Sequence, residues 1–194
     1  SPVIEYFILE LISKDEFCQK IENGLALYPF HSLKAMMNLL GSHDTPRIFE
    51  ICMGDVKRWQ LAIIFQMCFI GAPHIYYGDE IAMQGGKDPD NRRPFNWNWE
   101  KDPIACEVRA FYKEIISLRK KHPALWDGHF AFIDSPDNTI AFTRETDSEK
   151  VLVFINSGLD YLPIDIPAGA VILFGSLNPK GMLQPRSGVI MILS

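Results

Sequence analysis

His43-Asp44 sets an imidazole beside a carboxylate just past Met36 to Leu40, a short apolar run that reads as a buried strand. Where strands alternate with helices, the loops leaving the strands' C-terminal ends carry the chemistry. A second polar cluster follows Pro73-His74-Ile75-Tyr76-Tyr77-Gly78, which reads as another buried strand with Asp79-Glu80 directly after it. The loop from Asp79 to Asp102, rich in Gly, Pro, Asn and Asp, then offers Asp88, Arg92 and Arg93. Irregular segments of this length are more often functional than decorative. A carboxylate and a guanidinium can each make two-point hydrogen bonds.

Each of these residues also has a plainer role. Asp44 would serve as a turn or N-cap carboxylate ahead of Pro46, and His43 as a satisfied structural histidine. Asp88 and Arg92 would form a mutual ion pair that orders the loop, and Asp79-Glu80 would be helix caps or supporting groups. Arg47 either orients Asp44 or faces solvent, and Arg93 is a solvated charge or salt-bridge partner.

The elements that must position these groups are legible from pattern. Ser13-Lys14-Asp15-Glu16 has the S-x-x-E form of a capping box and opens a helix with Phe17, Ile21, Leu25 and Tyr28 on one face, limited by Pro29. From about Asp55 to Phe69 a helix apolar on most sides is predicted, and such a helix needs protein around it. Asp102-Pro103 reads as N-cap and first position of a helix that turns Val108, Phe111, Ile115 and Leu118 inward. Arg119-Lys120-Lys121 suit the C-terminal end of its dipole, and Pro123 closes it. Trp97 and Trp99 could stack on a ligand face, but both are assigned to the core, with Trp97 packing the long loop. Beyond about Ala124 the period changes, and residues 130–133, 139–143, 151–155, 164–166, 171–174 and 189–193 form short β-rich runs separated by turn residues. That spacing fits a small antiparallel β-sandwich.

Composition sets the bounds. At 194 residues, 47% hydrophobic and 22% charged, the chain suits one or two globular domains with a real core. A net charge of -5 argues against nucleic acid or an anionic membrane as partner, because both need clustered Lys and Arg. The most apolar helical stretch, Leu61 to Ile70, carries Gln66 and falls short of the roughly 20 residues a membrane span needs. Cys18, Cys52, Cys68 and Cys106 form no C-x-x-C and read as reduced, small hydrophobes, which favours the cytoplasm. No secretory leader is recognisable, a reading without weight in a chain that opens on Ser1. The acidic residues between Asp79 and Asp90 lack the spacing of a calcium loop, so neither a metal nor a cofactor is expected.

The block "NLLGSHDTPR" followed by "GAPHIYYGDEIAMQGGKDPDNRRPFNW" resembles the last two barrel strands and their loops in the α-amylase family of glycoside hydrolases. The similarity is greatest to its neopullulanase, cyclomaltodextrinase and maltogenic amylase branch. The resemblance implies the C-terminal part of a (β/α)8 barrel over residues 1–122 and a β-sandwich over 123–194, an α/β plus all-β architecture. It further implies that Asp44 is the family's third site carboxylate, which binds sugar hydroxyls and helps distort the ring. His43 is then the neighbouring hydroxyl-binding imidazole, and Asp88 and Arg92 hold hydroxyls one subsite from the cleavage point, with Arg47 a further candidate for the substrate-binding set.

Retaining glycosidases require two carboxyl groups about 5–5.5 Å apart, one as nucleophile and one as acid and base. In the resembled family these lie in G-x-R-x-D and E-x-W-like motifs, and neither motif occurs here. The expectation is a C-terminal portion of a retaining hydrolase of α-1,4, and in some members α-1,6, glucosidic bonds in cyclodextrin, pullulan, starch or maltooligosaccharides. Alone it would be inactive, since transition-state stabilisation presupposes the groups that create the transition state. The competing expectations are a non-catalytic carbohydrate-binding module and a homo-oligomer formed through the strand edges of an open barrel.

Overall fold

The computed structural model describes residues 1–193. The apolar N-terminal stretch winds into a π-helical turn, Ile4–Ile8, that buries Tyr6, Phe7 and Ile8. Ser13 caps α1 (Lys14–Ala26) as predicted: its hydroxyl accepts from the Glu16 amide while the Glu16 carboxylate accepts from the Ser13 amide. Phe17 and Ile21 face the core, whereas Tyr28 lies past the helix end and is exposed. α2 (Phe30–Ala35) leads into β1 (Met37–Leu39), then come α3 (Ile48–Ile51) and α4 (Val56–Cys68). The Asp55 side chain caps α4 by accepting from the amides of Lys57 and Arg58.

β2 (Ala72–His74) pairs with β1 in parallel, with Met37 opposite Ala72 and Leu39 opposite His74. It is shorter than predicted. Beyond His74 the chain leaves the ladder, and Gly78, at a φ of +85° open to glycine, swings it into a tight turn at Asp79–Ile81. α5 (Pro103–Lys121) is capped by Asp102, with Pro103 at its first position. α5 ends at Lys121, just ahead of Pro123 as expected. Pro123 opens the short α6 (Pro123–Asp127), where a missing N–H costs nothing.

The C-terminal region contains β3 (His129–Phe132), β4 (Thr139–Glu145), β5 (Lys150–Asn156), β6 (Leu162–Pro163), β7 (Ala170–Phe174), β8 (Met182–Leu183) and β9 (Ser187–Leu193). Five of these form an antiparallel sheet in the order β3-β4-β5-β9-β7, and β6 pairs with β8 in a second, two-stranded sheet. The run at 164–166 lies outside any ladder, because Pro167 already starts the turn into β7 with its carbonyl on the Ala170 amide.

β4 and β5 are buried on both faces, which explains their continuous apolar sequence. Ala141, Leu152 and Phe154 meet Leu183, Val189 and Met191 of β8 and β9. The opposite face, with Ile140, Phe142, Val151, Val153 and Ile155, joins the helical core. Aromatic contacts run without a break from Phe17 to Phe65 at 5.2 Å and from Phe65 to Phe142 at 5.5 Å.

The C-terminal end of α4 is held by two buried guanidinium groups. Arg119 donates to the carbonyls of Met67, Phe69 and Gly71 at 2.6, 3.0 and 2.5 Å. Arg144, from β4, donates to Cys68, Leu125 and Gly128 at 2.7, 2.8 and 2.8 Å. Arg119 therefore serves not the dipole of its own helix but carbonyls at the end of α4 and just past it. All four cysteines are free, and burial pushes the Cys52 and Cys68 thiols up to about 12. Among the described residues no helix is long and apolar enough to cross a membrane.

Candidate functional site

β1 and β2 end on the same side, and their loops form one surface. The two strands are tied from beneath by Gln66 of α4, whose amide donates to the carbonyls of Asn38 at 2.9 Å and His74 at 3.0 Å. Gly41 leaves β1 against Asp79: a Cβ there would lie 2.5 Å from the Asp79 carboxylate, so only glycine lets the two loops meet this closely.

The loop after β1 turns tightly, with the Ser42 amide on the Thr45 hydroxyl at 3.1 Å and the Asp44 amide on the Ser42 hydroxyl at 3.2 Å. At its tip His43 Nε2 lies 3.2 Å from Asp44 Oδ1, with the side chains 65% and 71% exposed. Arg92 reaches in from the long loop: its Nε is 2.8 Å from Asp88 Oδ1 and 3.2 Å from the His43 carbonyl, and its Nη2 is 3.9 Å from Asp44 Oδ1. His43, Asp44, Asp88 and Arg92 thus gather at one rim, and the mutual Asp88–Arg92 pair is present as well. Such a cluster offers hydroxyl groups both donors and acceptors, in two-point geometry.

Arg47 does something else. Its side chain is 0% exposed and that of Asp79 only 3%, with Nη1 3.2 Å from Asp79 Oδ1. Nη1 also donates to the Tyr77 carbonyl at 2.5 Å, and the guanidinium lies 4.7 Å from the ring centres of both Tyr76 and Tyr77. Neither sequence-based role for Arg47 holds: it does not face solvent and it does not pair with Asp44. Nor can a sugar reach it as a substrate-binding residue in this geometry, because its partner Asp79 and two tyrosine rings enclose it. Burial pushes the Asp79 carboxyl up to about 7 against the opposing pull of Arg47.

Asn91 is the residue that pattern reading missed. Fully buried, it donates its side-chain amide to the carbonyls of Ser42 at 3.3 Å, His43 at 2.7 Å and Thr45 at 2.8 Å. In Asp88-Pro89-Asp90-Asn91-Arg92 it looks like one more turn residue, and no local signal marks a partner so far back in sequence. Arg93 is the salt-bridge partner foreseen for it, gripping Asp90 with two bonds of 2.7 and 2.8 Å. The Arg93 guanidinium, with help from the Gly86 amide, holds the Asp90 carboxyl below its ordinary value. Trp97 departs from its core assignment: it is 83% exposed, edge-on to Phe95 at 4.7 Å. Trp99 is half-buried, with Arg109 stacked 4.8 Å over its ring.

Residues 25–108 match the family model of the alpha amylase catalytic domain. The cyclomaltodextrinase of Geobacillus thermopakistaniensis (strain MAS1) is 38% identical over 169 residues, which is 86% of this chain and 28% of that protein. Neopullulanase 2 of Thermoactinomyces vulgaris is 38% identical over 157 residues, 80% of this chain and 26% of that protein. The crystal structure of the maltogenic amylase from S. marinus superposes with a TM-score of 0.87 at 28% identity, covering 98% of this chain and 27% of that one. The chain spans little more than a quarter of the length of these relatives. Sequence match, relatives and backbone superposition agree with the two motif blocks from which the resemblance began: the chain belongs to the α-amylase family of glycoside hydrolases.

Proposed function

We propose that this chain forms the final two strands of a (β/α)8 barrel and the β-sandwich behind it, and that its rim binds glucose units of an α-glucan. The whole protein would hydrolyse α-1,4, and in some substrates α-1,6, glucosidic bonds of cyclodextrin, pullulan, starch or maltooligosaccharides with retention. Asp44 and His43 would hold ring hydroxyls and favour the distorted ring of the transition state. Asp88 and Arg92 would position the adjacent sugar. The supporting observation is that Arg92 ties Asp88 to the His43-Asp44 tip, so that four groups suited to hydroxyls share one exposed rim.

Bond cleavage needs a nucleophile and an acid/base, and neither of the family's motifs for them occurs in the chain. The 194-residue chain is therefore expected to release no reducing sugar from cyclodextrin or pullulan. It is expected to bind maltotriose weakly, and Asp44→Ala should abolish that binding in a calorimetric titration. Hydrolysis by the pure chain, or sugar affinity unaffected by Asp44→Ala, would sink this reading.

A second reading rests on the strand edges. Among the described residues β1 and β2 pair only with each other, leaving an unladdered edge on both sides with Met37 and Leu39 exposed. Such edges favour assembly, as a homo-oligomer or with further barrel polypeptide. A strict monomer by light scattering at high concentration would remove the homo-oligomer.

A further inference from the structure

We infer that Asn91 is a positioning residue that holds the His43-Asp44 tip in its site geometry. The inference rests on the reading of that tip as sugar-binding, and adds to it the group that sets its shape. The loop after β1 is fixed from within by three turn bonds: the Ser42 amide donates to the Thr45 hydroxyl, the Asp44 amide to the Ser42 hydroxyl and the Thr45 amide to the Ser42 carbonyl. Three of its carbonyls, those of Ser42, His43 and Thr45, converge on the two amide hydrogens of Asn91. Asp44 is the residue they bracket. Because the carbonyls on both sides of it are fixed, the direction in which its Cα–Cβ bond leaves the backbone is fixed too, and this keeps its carboxylate within reach of His43, at 3.2 Å, and of Arg92, at 3.9 Å.

The chemistry demands a neutral donor. An aspartate of the same shape would turn acceptor oxygens toward three carbonyl oxygens, and alanine would leave the Thr45 carbonyl without a donor, the Ser42 carbonyl with only the Thr45 amide and the His43 carbonyl with only Arg92 Nε. Arg92 cannot substitute, since its Nε is already shared between Asp88 and the His43 carbonyl. Asn91 is itself held, with Gly85 packed so closely that a Cβ there would meet the Asn91 Cα at 2.9 Å. A built-in control lies in the C-terminal sheet. Asn156 is equally buried and grips two carbonyls by the same chemistry, those of Asp160 at 2.8 Å and Gln184 at 2.9 Å.

The test uses the labelled 194-residue chain with Asn91→Ala, Asn91→Asp and Asn156→Ala. Amide hydrogen exchange and the His43 ring signals are followed by NMR, and global stability by urea unfolding. In both Asn91 variants the amides of residues 43–47 should exchange at least about tenfold faster and the His43 ring signals should shift, with β4 and β5 unchanged, since local opening is read separately from global unfolding. Asn156→Ala should loosen residues 157–160 and leave His43 and Asp44 untouched. The inference is overturned if the Asn91 variants leave residues 43–47 and the His43 ring unchanged, or if exchange rises uniformly, which would make Asn91 a general stability residue. Maltotriose added to the parent chain separates the two readings: no perturbation at His43 or Asp44 removes the sugar-binding role, while the exchange pattern still decides the role of Asn91.

Discussion

Two polar pairs draw on the loop after β1, one within it and one reaching from it to the loop after β2, and in both the partners lie 3.2 Å apart. His43–Asp44 lies in the open, with both side chains mostly solvated, while Arg47–Asp79 lies in the interior. Distance alone therefore says little about what a pair does. In water the attraction is screened and the partners stay free to exchange each other for a ligand's hydroxyls. In the interior the same attraction is stronger, yet it mainly offsets the cost of removing two ions from solvent, and breaking it strands a charge. One pair is available for recognition; the other joins the loops that present it.

The contrast can be broken most directly at Arg47. Arg47→Met leaves the Asp79 carboxylate buried without its cation and, above about pH 8 where that carboxyl is ionised in the parent chain, should destabilise the fold by about 3–5 kcal/mol in urea unfolding. A loss under about 1 kcal/mol would mean that Asp79 is already protonated or solvated.

The pH dependence sharpens the same point. Burial raises the folded Asp79 carboxyl to about 7, above an unfolded value near 3.9. Between those limits the folded chain holds a proton that the unfolded chain has released. Its contribution is fully present below the unfolded value and is lost as pH rises through the folded one. Relative to Asp79→Asn, the parent chain should lose on the order of 3 kcal/mol between about pH 4 and pH 7, and change little above. A flat difference across that range would place the carboxyl's folded value back in the ordinary region.

Gln66→Leu is isosteric enough to keep α4 packed but frees the carbonyls of Asn38 and His74, and a loss of about 1–3 kcal/mol is expected. At the small end, Asp44→Ala should alter stability by less than about 0.5 kcal/mol while removing sugar affinity. If Asp44→Ala costs as much as Arg47→Met, the distinction between the two pairs collapses.

Local grammar explains what could be read from the chain. Ser13, Asp55 and Asp102 cap helices through partners two or three residues away, so their roles are written in adjacent letters. The buried faces of β4 and β5 follow from unbroken runs of apolar residues. The His43-Asp44 tip was visible because the flanking block resembles a known family. Arg47, Gln66, Asn91 and Arg119 were misread or passed over for one shared reason. Each is a polar side chain whose partners are main-chain or carboxylate groups brought near only by folding, and composition suggested a surface or turn role instead. Trp97 failed in the opposite sense: an aromatic ring was assigned to the interior on type, and the loop carries it outward.

Arg144 has a mechanical corollary. Its two nitrogens bind the last turn of α4, the short helix α6 and Gly128 just ahead of β3 at once, so separating the C-terminal sheet from α4 strands a buried guanidinium and the carbonyls it serves. Gln66 sits in that turn and clasps both parallel strands. The C-terminal sheet is thus linked through α4 to the strands that carry the His43-Asp44 rim, and acts as a brace for it.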